Sequence, residues 1–228
     1  MIIAKFAAVA LFGYLLGSIP FGVIIAKRSA KVDIREVGSG KIGATNVLRV
    51  AGKKAAAIVL ILDLLKGVLA VVFARLIFDG DYLLMGGSAL WWLTRSAQVT
   101  GALAAIAGHK WSIFLRFRGG RGVATFFGGL AALCPVAALF GVEILILGAS
   151  LTRYVSIGSI AGAVGTYAIL IPLTIINGFP PEYLVYTLIG AVFIIVMHRD
   201  NIARLVSGTE RKIGERVEMR GSPSSTSP

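Results

Sequence analysis

The sequence is poor in the residue types that build disulfides, metal sites and acidic surfaces. Its 228 residues include one cysteine, Cys134, and two histidines. A single cysteine excludes an intrachain disulfide and a metal site made of several cysteines. Asp and Glu number 11 against 23 Lys and Arg, so the formal net charge is +12. We therefore predict neither a metal nor another cofactor, and the positive charge needs its own explanation.

Apolar residues are abundant instead. The hydrophobic set makes up 57% of the chain, glycine adds 28 residues, and the mean hydropathy is +0.85. Soluble domains reach about 45 to 50% for that set with glycine included. We therefore predict an integral membrane protein. Its positive charge then reflects either membrane orientation or an anionic ligand such as phosphate, and nucleic acid is not predicted as a partner.

Seven apolar runs predict an all-α fold with seven transmembrane helices, since a span needs about 20 apolar residues. The runs cover residues 6–26, 55–78, 88–108, 122–134, 136–152, 157–176 and 183–198. The count becomes six if residues 122–152 form one broken helix around Pro135. Residues 1–215 are predicted to form a single transmembrane domain, and the polar residues 216–228 a disordered cytoplasmic tail.

Basic residues cluster in the connections on one side of this arrangement. Most Lys and Arg lie in residues 27–54, in residues 109–121 and in the segment that starts at Arg199. Cytoplasmic loops of membrane proteins collect Lys and Arg. The N-terminus is therefore predicted outside the cell and the C-terminus in the cytoplasm.

Two of the basic connections are also rich in glycine. The first contains Gly38, Ser39, Gly40, Gly43, Thr45, Asn46 and Arg49, and the second contains Arg118, Gly119, Gly120, Arg121 and Gly122. Glycine lets backbone N–H groups approach an anion, and arginine forks match phosphate oxygens. The loops predict two phosphate sites, or one site with two walls, although either loop alone is equally typical of a flexible basic connector. A dinucleotide motif is rejected because no strand precedes the first loop.

Several other polar residues lie close to the predicted membrane surface. His198 and Asn201 are three residues apart at the end of the last span, so they share a helix face. A structural role is the alternative for His198, and it is the preferred one for His109. Ser156 and Ser159 begin the sixth span, where they either donate to a ligand or pack helices together.

Asp63 and Lys66 are three residues apart inside the second predicted span. Charged side chains are costly within a membrane, and this spacing allows them to pair. The sequence therefore predicts a buried ion pair, for which a purely structural role is preferred and support of the first loop is the alternative.

Together these motifs resemble the bacterial membrane acyl-phosphate:glycerol-3-phosphate acyltransferases, the PlsY family. The resemblance covers residues 13 to about 215. It rests on Gly-Ser-Ile-Pro at residues 17–20, the two glycine-rich loops, Gly-His at residues 108–109, and the runs 153–159 and 198–210. The chain departs from the family pattern at three places. Lys41-Ile42 replaces the usual Asn-Pro, Arg118 and Arg121 replace lysines, and Ser112 replaces a proline.

The resemblance implies seven helices and an active site on the cytoplasmic face of the bacterial inner membrane. It also implies transfer of a fatty acyl group from acyl phosphate to the sn-1 hydroxyl of glycerol 3-phosphate, which gives lysophosphatidic acid and phosphate. Catalytic roles are assigned to Ser39, Arg121, His198 and Asn201, and substrate binding to the other loop residues with Ser156 and Ser159. Either His198 or the leaving phosphate accepts the hydroxyl proton.

Two other functions fit parts of the pattern. A membrane transporter of phosphate or organic anions is the first alternative, although such proteins are expected to carry charges near the membrane midplane and inverted repeats. A non-catalytic binder of lipid head groups is the second, since basic loops also attract anionic lipids. Oligomeric state and acyl-chain preference are not predicted.

Overall fold

The structure, a computed structural model, describes residues 1–84 and 91–215, with side chains through Asp79 and again from Trp91. The described chain is helical. Its helices are α1 (Ile2–Ser18), α2 (Phe21–Ala30), α3 (Ala44–Leu84), α4 (Trp91–Lys110), α5 (Val123–Leu133), α6 (Pro135–Thr152), α7 (Val155–Asn177), α8 (Pro181–Met197) and α9 (Arg199–Val206). The predicted tail, 216–228, and residues 88–90 of the third predicted span lie outside the described residues.

Four stretches of the described chain are long and apolar enough to cross a membrane. They are Ile2–Ala30, Ala44–Asp79, α6 and α7, and α8 with α9 makes a fifth if their 55° bend interrupts one span. Helix α4 is long enough but more polar, with Arg95 and Gln98 in it. Helix α5 has 11 residues and is shorter than a span. The all-helical fold agrees with the sequence, whereas seven spans and the orientation of the termini stay predictions.

Proline separates α5 from α6. Helix α5 ends at Leu133 and α6 begins at Pro135, which stands in the first helical turn. Proline lacks a backbone N–H and is tolerated there, because the first-turn N–H groups have no partner within the helix. Residues 122–152 therefore form two helices that meet at Pro135, and the number of spans they make stays a prediction.

Helix α3 contains a sharp kink at Gly52. This glycine has a φ of 81°, which lies in the region that favours glycine. The eight residues before it, 44–51, form a short helix in a segment that the sequence assigns to a loop. Thr45 and Arg49 are four residues apart on that helix and therefore lie on the same face. The kink thus creates a small helical platform next to the spanning part of α3.

Small residues bring the helices around the site into direct backbone contact. A Cβ atom on Gly128 of α5 would clash with the carbonyl oxygen of Leu64 of α3, and one on Gly162 of α7 would clash with the carbonyl oxygen of Gly141 of α6. Close approach through small residues is typical of membrane helices. Two tight pairs result, α3 with α5 and α6 with α7, and a cavity lies between them.

Candidate active site

Two cavities lie side by side where α3, α5 and α7 begin. The larger has a volume of about 460 Å³ and extends between α3, α5 and α6 along apolar side chains such as Leu64, Phe127 and Val142. Leu60 and Ile146 line it while remaining 45% and 55% exposed, so the cavity opens sideways between α3 and α6. Its shape and lining fit a long apolar ligand that enters from the side.

The smaller cavity is polar and has a volume of about 20 Å³. Ser39, Thr45, Arg49 and Arg121 line both cavities, and we call these four residues the shared wall. The remaining polar lining of the small cavity is Ser156, Asn201, Arg204, Glu210 and Arg211. Four guanidinium groups therefore face one carboxylate among the described residues that line it. This excess of cations with forked donors suits a doubly charged phosphate.

Asn46 organises the first loop. Its Nδ2 donates to the carbonyl oxygens of Ile34, Val37 and Lys41 at 3.0 to 3.1 Å, and its Oδ1 accepts from the backbone N–H of Ser39 at 3.1 Å. The side chain is 3% exposed, and these bonds use its donors. Its amide thus holds the loop together with its donors occupied, while the residue also lines the large cavity, and its role in phosphate binding stays a prediction.

The glycines of the first loop serve this arrangement. Gly38 and Gly40 have φ of 65° and 67°, so the chain can curl around the side chain of Asn46. A Cβ on Gly38 would clash with Asn46 Oδ1. Ser39 lies between these two glycines and is part of the shared wall. Gly43 lines the large cavity and accepts, through its carbonyl oxygen, the first hydrogen bonds of the platform helix.

The second loop is held by backbone pairing. The N–H of Gly119 donates to the carbonyl oxygen of Lys110 at 2.8 Å, and the N–H of Gly120 donates to that of His109 at 3.1 Å. These N–H groups already have backbone partners, and phosphate binding at Gly119 and Gly120 stays a prediction. Arg118 is exposed and lines neither cavity, whereas Arg121 lines both. Arg121 is therefore the arginine of this loop that the structure places at the cavities, and the role of Arg118 stays a prediction.

Arg121 is half-buried and surrounded by other charged groups. Burial lowers the pKa of its guanidinium to about 10; Glu210 opposes that shift, while Arg204 and Arg49 add to it. The group still carries its proton near neutral pH. Its buried Nε has no hydrogen-bond partner among the described residues. A cation in this setting is expected to bind an anion, because an unpaired buried donor is costly.

Glu210 connects the polar lining on the opposite side. Its Oε1 accepts from Asn201 Nδ2 at 2.5 Å and from Ser156 Oγ at 3.1 Å, and its Oε2 accepts from Arg204 Nε at 2.7 Å. Burial favours a higher pKa for this carboxyl, but the three hydrogen bonds prevail and hold the pKa below its usual value. The sequence assigned no site role to Arg204, Glu210 or Arg211. The signal for two of them lay in the family-like run 198–210.

His198 lies at the break between α8 and α9. Its Nδ1 is 2.8 Å from the carbonyl oxygen of Ile194. A carbonyl oxygen only accepts, so Nδ1 carries the hydrogen and Nε2 keeps a free lone pair. His198 lines the large cavity and Asn201 the small one, three residues further on. The structure thus places the two residues on the two sides of the site.

The two predicted serines also line different cavities. Ser156 lines the small cavity, where it donates to Glu210, and Ser159 lines the large cavity while it donates to the carbonyl oxygen of Val155 at 2.8 Å. Gly122 lines the large cavity just before α5. The predicted residues that line neither cavity are Gly38, Gly40, Arg118, Gly119 and Gly120.

The chain is similar to known proteins along nearly its whole length. The family profile described as glycerol-3-phosphate acyltransferase matches residues 7–208. Glycerol-3-phosphate acyltransferase 3 of Dehalococcoides mccartyi is 57% identical over 216 residues, which cover 95% of this chain and 99% of that relative. The glycerol-3-phosphate acyltransferase of Thermus thermophilus is 45% identical over 210 residues, which cover 92% and 96%.

Solved structures agree with this assignment. The crystal structure of PlsY, an integral membrane glycerol 3-phosphate acyltransferase, in its glycerol 3-phosphate form matches with a TM-score of 0.77 and 35% identity, over 92% of this chain and 96% of that one. The lysophosphatidic acid form of PlsY matches with a TM-score of 0.75. The family profile, the sequence relatives and the common fold lead to one conclusion: the chain belongs to the glycerol-3-phosphate acyltransferase family and is an integral membrane protein.

Proposed function

We propose that this protein transfers a fatty acyl group from acyl phosphate to the sn-1 hydroxyl of glycerol 3-phosphate, giving lysophosphatidic acid and phosphate. The observation that carries the proposal is the shared wall, because it places Arg49 and Arg121 between an apolar cavity and a cation-rich one. A donor with an acyl chain and a phosphate group matches the first cavity and the wall. A small phosphorylated alcohol matches the second.

The acyl chain of the donor lies in the large cavity. Burying each CH₂ group contributes about 0.8 kcal/mol, and the opening between α3 and α6 gives the chain a path from the bilayer. The donor phosphate then contacts Arg49 and Arg121, with the hydroxyls of Ser39 and Thr45 on the same wall. The backbone at Gly43 and Gly122, together with Ser159, completes this side of the site.

Glycerol 3-phosphate binds on the side of Asn201, Arg204 and Arg211, with Ser156 at its edge. The small cavity admits only about one water molecule at 20 Å³. Binding there therefore requires the arginine side chains and Glu210 to move apart. The phosphate can then replace the Glu210 carboxylate as the acceptor for some of these donors.

The reaction needs positioning and charge stabilisation more than covalent help. Acyl phosphate is a mixed anhydride and is already activated, so no acyl-enzyme intermediate is required. The sn-1 oxygen attacks the carbonyl carbon, the carbon–oxygen bond to phosphate breaks, and the hydroxyl proton passes to His198 Nε2 or to the leaving phosphate. Arg121 and Arg49 offset the repulsion between two anionic substrates and stabilise the oxyanion and the departing phosphate.

The proposed site lies at the cytoplasmic face of the bacterial inner membrane. The platform helix and both glycine-rich loops lie within residues 27–54 and 109–121, which are rich in Lys and Arg, as is typical of cytoplasmic segments. Both proposed substrates are water-soluble at their phosphate ends, so an opening toward the cytoplasm on one side and the bilayer on the other suits them.

The test is a transfer assay on the purified protein in lipid nanodiscs. Radiolabelled glycerol 3-phosphate is supplied with palmitoyl phosphate, and in a second arm with palmitoyl-CoA. We expect labelled lysophosphatidic acid, acylated at sn-1, from palmitoyl phosphate. Absence of product from a folded sample overturns the proposal, and product from palmitoyl-CoA alone overturns the choice of donor. Uptake of glycerol 3-phosphate into proteoliposomes without product indicates the transporter instead.

A further inference from the structure

Asp63, Lys66 and His109 form a charged cluster inside the helix bundle, and the proposed reaction assigns them no role. Each is at most 3% exposed. Asp63 Oδ1 lies 2.8 Å from Lys66 Nζ and 3.6 Å from His109 Nδ1, so the ion pair predicted from the sequence is confirmed and gains a third member. Asp63 and His109 also line the large cavity. Charges in the interior of a membrane protein are costly, and their presence there points to function.

His109 connects the cluster to the second loop. Its ring lies against the α-carbon of Gly120, where a Cβ would clash with Nε2. Its carbonyl oxygen accepts from the N–H of Gly120, and that of Lys110 accepts from the N–H of Gly119. Arg121 directly follows these two hydrogen-bonded glycines, and α5 begins two residues later. The position of the His109 ring therefore fixes where the backbone of Arg121 can lie.

Lys66 connects the cluster to the first loop. Its Nζ lies 4.9 Å from the centre of the Phe21 ring, within the range of a cation–π contact. The next residue, Gly22, packs so closely on the carbonyl oxygen of Ile42 that a Cβ would not fit. Ile42 is 2% exposed and stands directly before the turn into the platform helix that carries Thr45 and Arg49. One cluster thus contacts the supports of both loops.

We propose that Asp63, Lys66 and His109 act as positioning residues that fix the two loops relative to each other and so set the position of Arg121 in the shared wall. This inference rests on the proposed function, since it concerns the placement of its main cation. Asp63 Oδ1 faces His109 Nδ1, and Lys66 pairs with Asp63. A displacement of about 1 Å at a reacting group can reduce the rate by about 100-fold.

The decisive variant is Asp63→Leu with Lys66→Met. It removes both charges together, so no buried charge is stranded, and replacing a buried ion pair by apolar residues of similar volume is often neutral for stability. We expect a thermal unfolding temperature in detergent close to that of the unmodified protein. We expect kcat/KM to fall by about tenfold to 100-fold, because Arg121 is no longer held in place.

The matched control is Arg75→Met with Asp79→Leu. This ion pair is in the same helix, with Arg75 Nε 3.2 Å from Asp79 Oδ2, but it is exposed and lines neither cavity. Its removal should leave kcat/KM unchanged. A partial rescue is expected from Asp63→Asn with Lys66→Met, because asparagine keeps an oxygen at the position that faces His109 Nδ1.

A double-mutant cycle with Arg121→Lys separates positioning from general support of the fold. If the cluster acts through Arg121, the decisive variant, Asp63→Leu with Lys66→Met, lowers kcat/KM much less in the Arg121→Lys background than in the unmodified protein. Fully additive effects overturn the inference. A decisive variant whose kcat/KM stays at the unmodified level overturns it as well. If that variant is recovered unfolded, His109→Gln takes its place under the same criteria. An inactive unmodified protein contradicts the proposed function, and only an active one can contradict the positioning role.

Discussion

The two glycine-rich loops look alike in the sequence, but they are held in shape by different means. In the first loop a side chain holds the conformation, since the amide of Asn46 is hydrogen-bonded to four backbone groups while Gly38 and Gly40 let the chain curl around it. In the second loop the backbone holds the conformation, through two hydrogen bonds to the carbonyl oxygens of residues 109 and 110. Glycine therefore permits a positive φ in the first loop and a close approach to His109 and Lys110 in the second.

This difference changes which groups are available for a substrate. Loops rich in glycine and arginine are often interpreted as anion cradles made of free N–H groups. Here the N–H groups of Ser39, Gly119 and Gly120 already have partners. What the loops offer to a ligand is side chains, namely the hydroxyls and guanidinium groups of the shared wall.

The largest effect is expected when the two arginines of the second loop are replaced one at a time. We expect Arg121→Gln to lower kcat/KM by about 100-fold to 1,000-fold, the usual cost of removing a donor that stabilises developing charge. Arg118→Gln should change it by no more than about twofold, since exposed substitutions are worth about 0.5 kcal/mol or less. Steady-state transfer rates of both purified variants provide the measurement. Equal losses in the two variants would show that Arg118 also contacts a substrate.

A second test addresses the support of the first loop. Asn46→Ala leaves the carbonyl oxygens of Ile34, Val37 and Lys41 without this donor. We expect the free energy of unfolding to fall by about 2 to 3 kcal/mol, because buried acceptors lose their partner. Thermal unfolding in detergent, monitored by tryptophan fluorescence, measures the loss. An unchanged unfolding temperature would mean that the loop does not depend on Asn46.

The smallest effect should come from a single methyl group in each loop. Gly120→Ala places a Cβ against the ring of His109, and overpacking of this kind costs about 1 to 3 kcal/mol. Gly43→Ala meets no atom within 4 Å and needs no unusual φ, so the fold should tolerate it and the unfolding temperature should not change. Unfolding temperatures of the pair check this contrast. A tolerated Gly120→Ala would remove the steric reason for glycine in the second loop.

Much of the fold can be predicted from the sequence. The apolar runs locate helices α4 to α8 within a few residues and the middle of α3, because hydropathy is a local property and a membrane tolerates little but helices. The platform helix of residues 44–51 was missed. Its residues are too polar for a span, and its formation depends on a turn at Gly43 and a kink at Gly52.

The site was harder to predict than the fold. Spacing alone identified the Asp63–Lys66 pair, since both residues lie on one helix. Their contact with His109 joins α3 to α4, and the grouping of Arg49 with Arg204 and Glu210 joins segments more than 150 residues apart. No local pattern encodes such contacts. The resemblance to known acyltransferases drew attention to residues 198–210 without showing that Glu210 holds Asn201, Ser156 and Arg204.

The chemical departures from the family pattern have structural consequences that only the fold reveals. Ser112 is buried and donates from Oγ to the carbonyl oxygen of Ser18 at 2.6 Å, which ties the second loop to the end of α1. Ile42 is buried under Gly22. Both substitutions therefore take part in the supports of the loops, while the shared wall keeps its charge through Arg121.

By itself the sequence determined that this protein lies in a membrane and is helical, and it predicted a cationic site for phosphate compounds. Composition, hydropathy and residue type suffice for these inferences, because each depends on the chemistry of short segments. Only the tertiary structure decided that Arg121 enters the site while Arg118, three residues earlier, remains outside. The reason is the turn between them, where the N–H groups of Gly119 and Gly120 donate to carbonyl oxygens of α4 and Gly120 lies against the ring of His109.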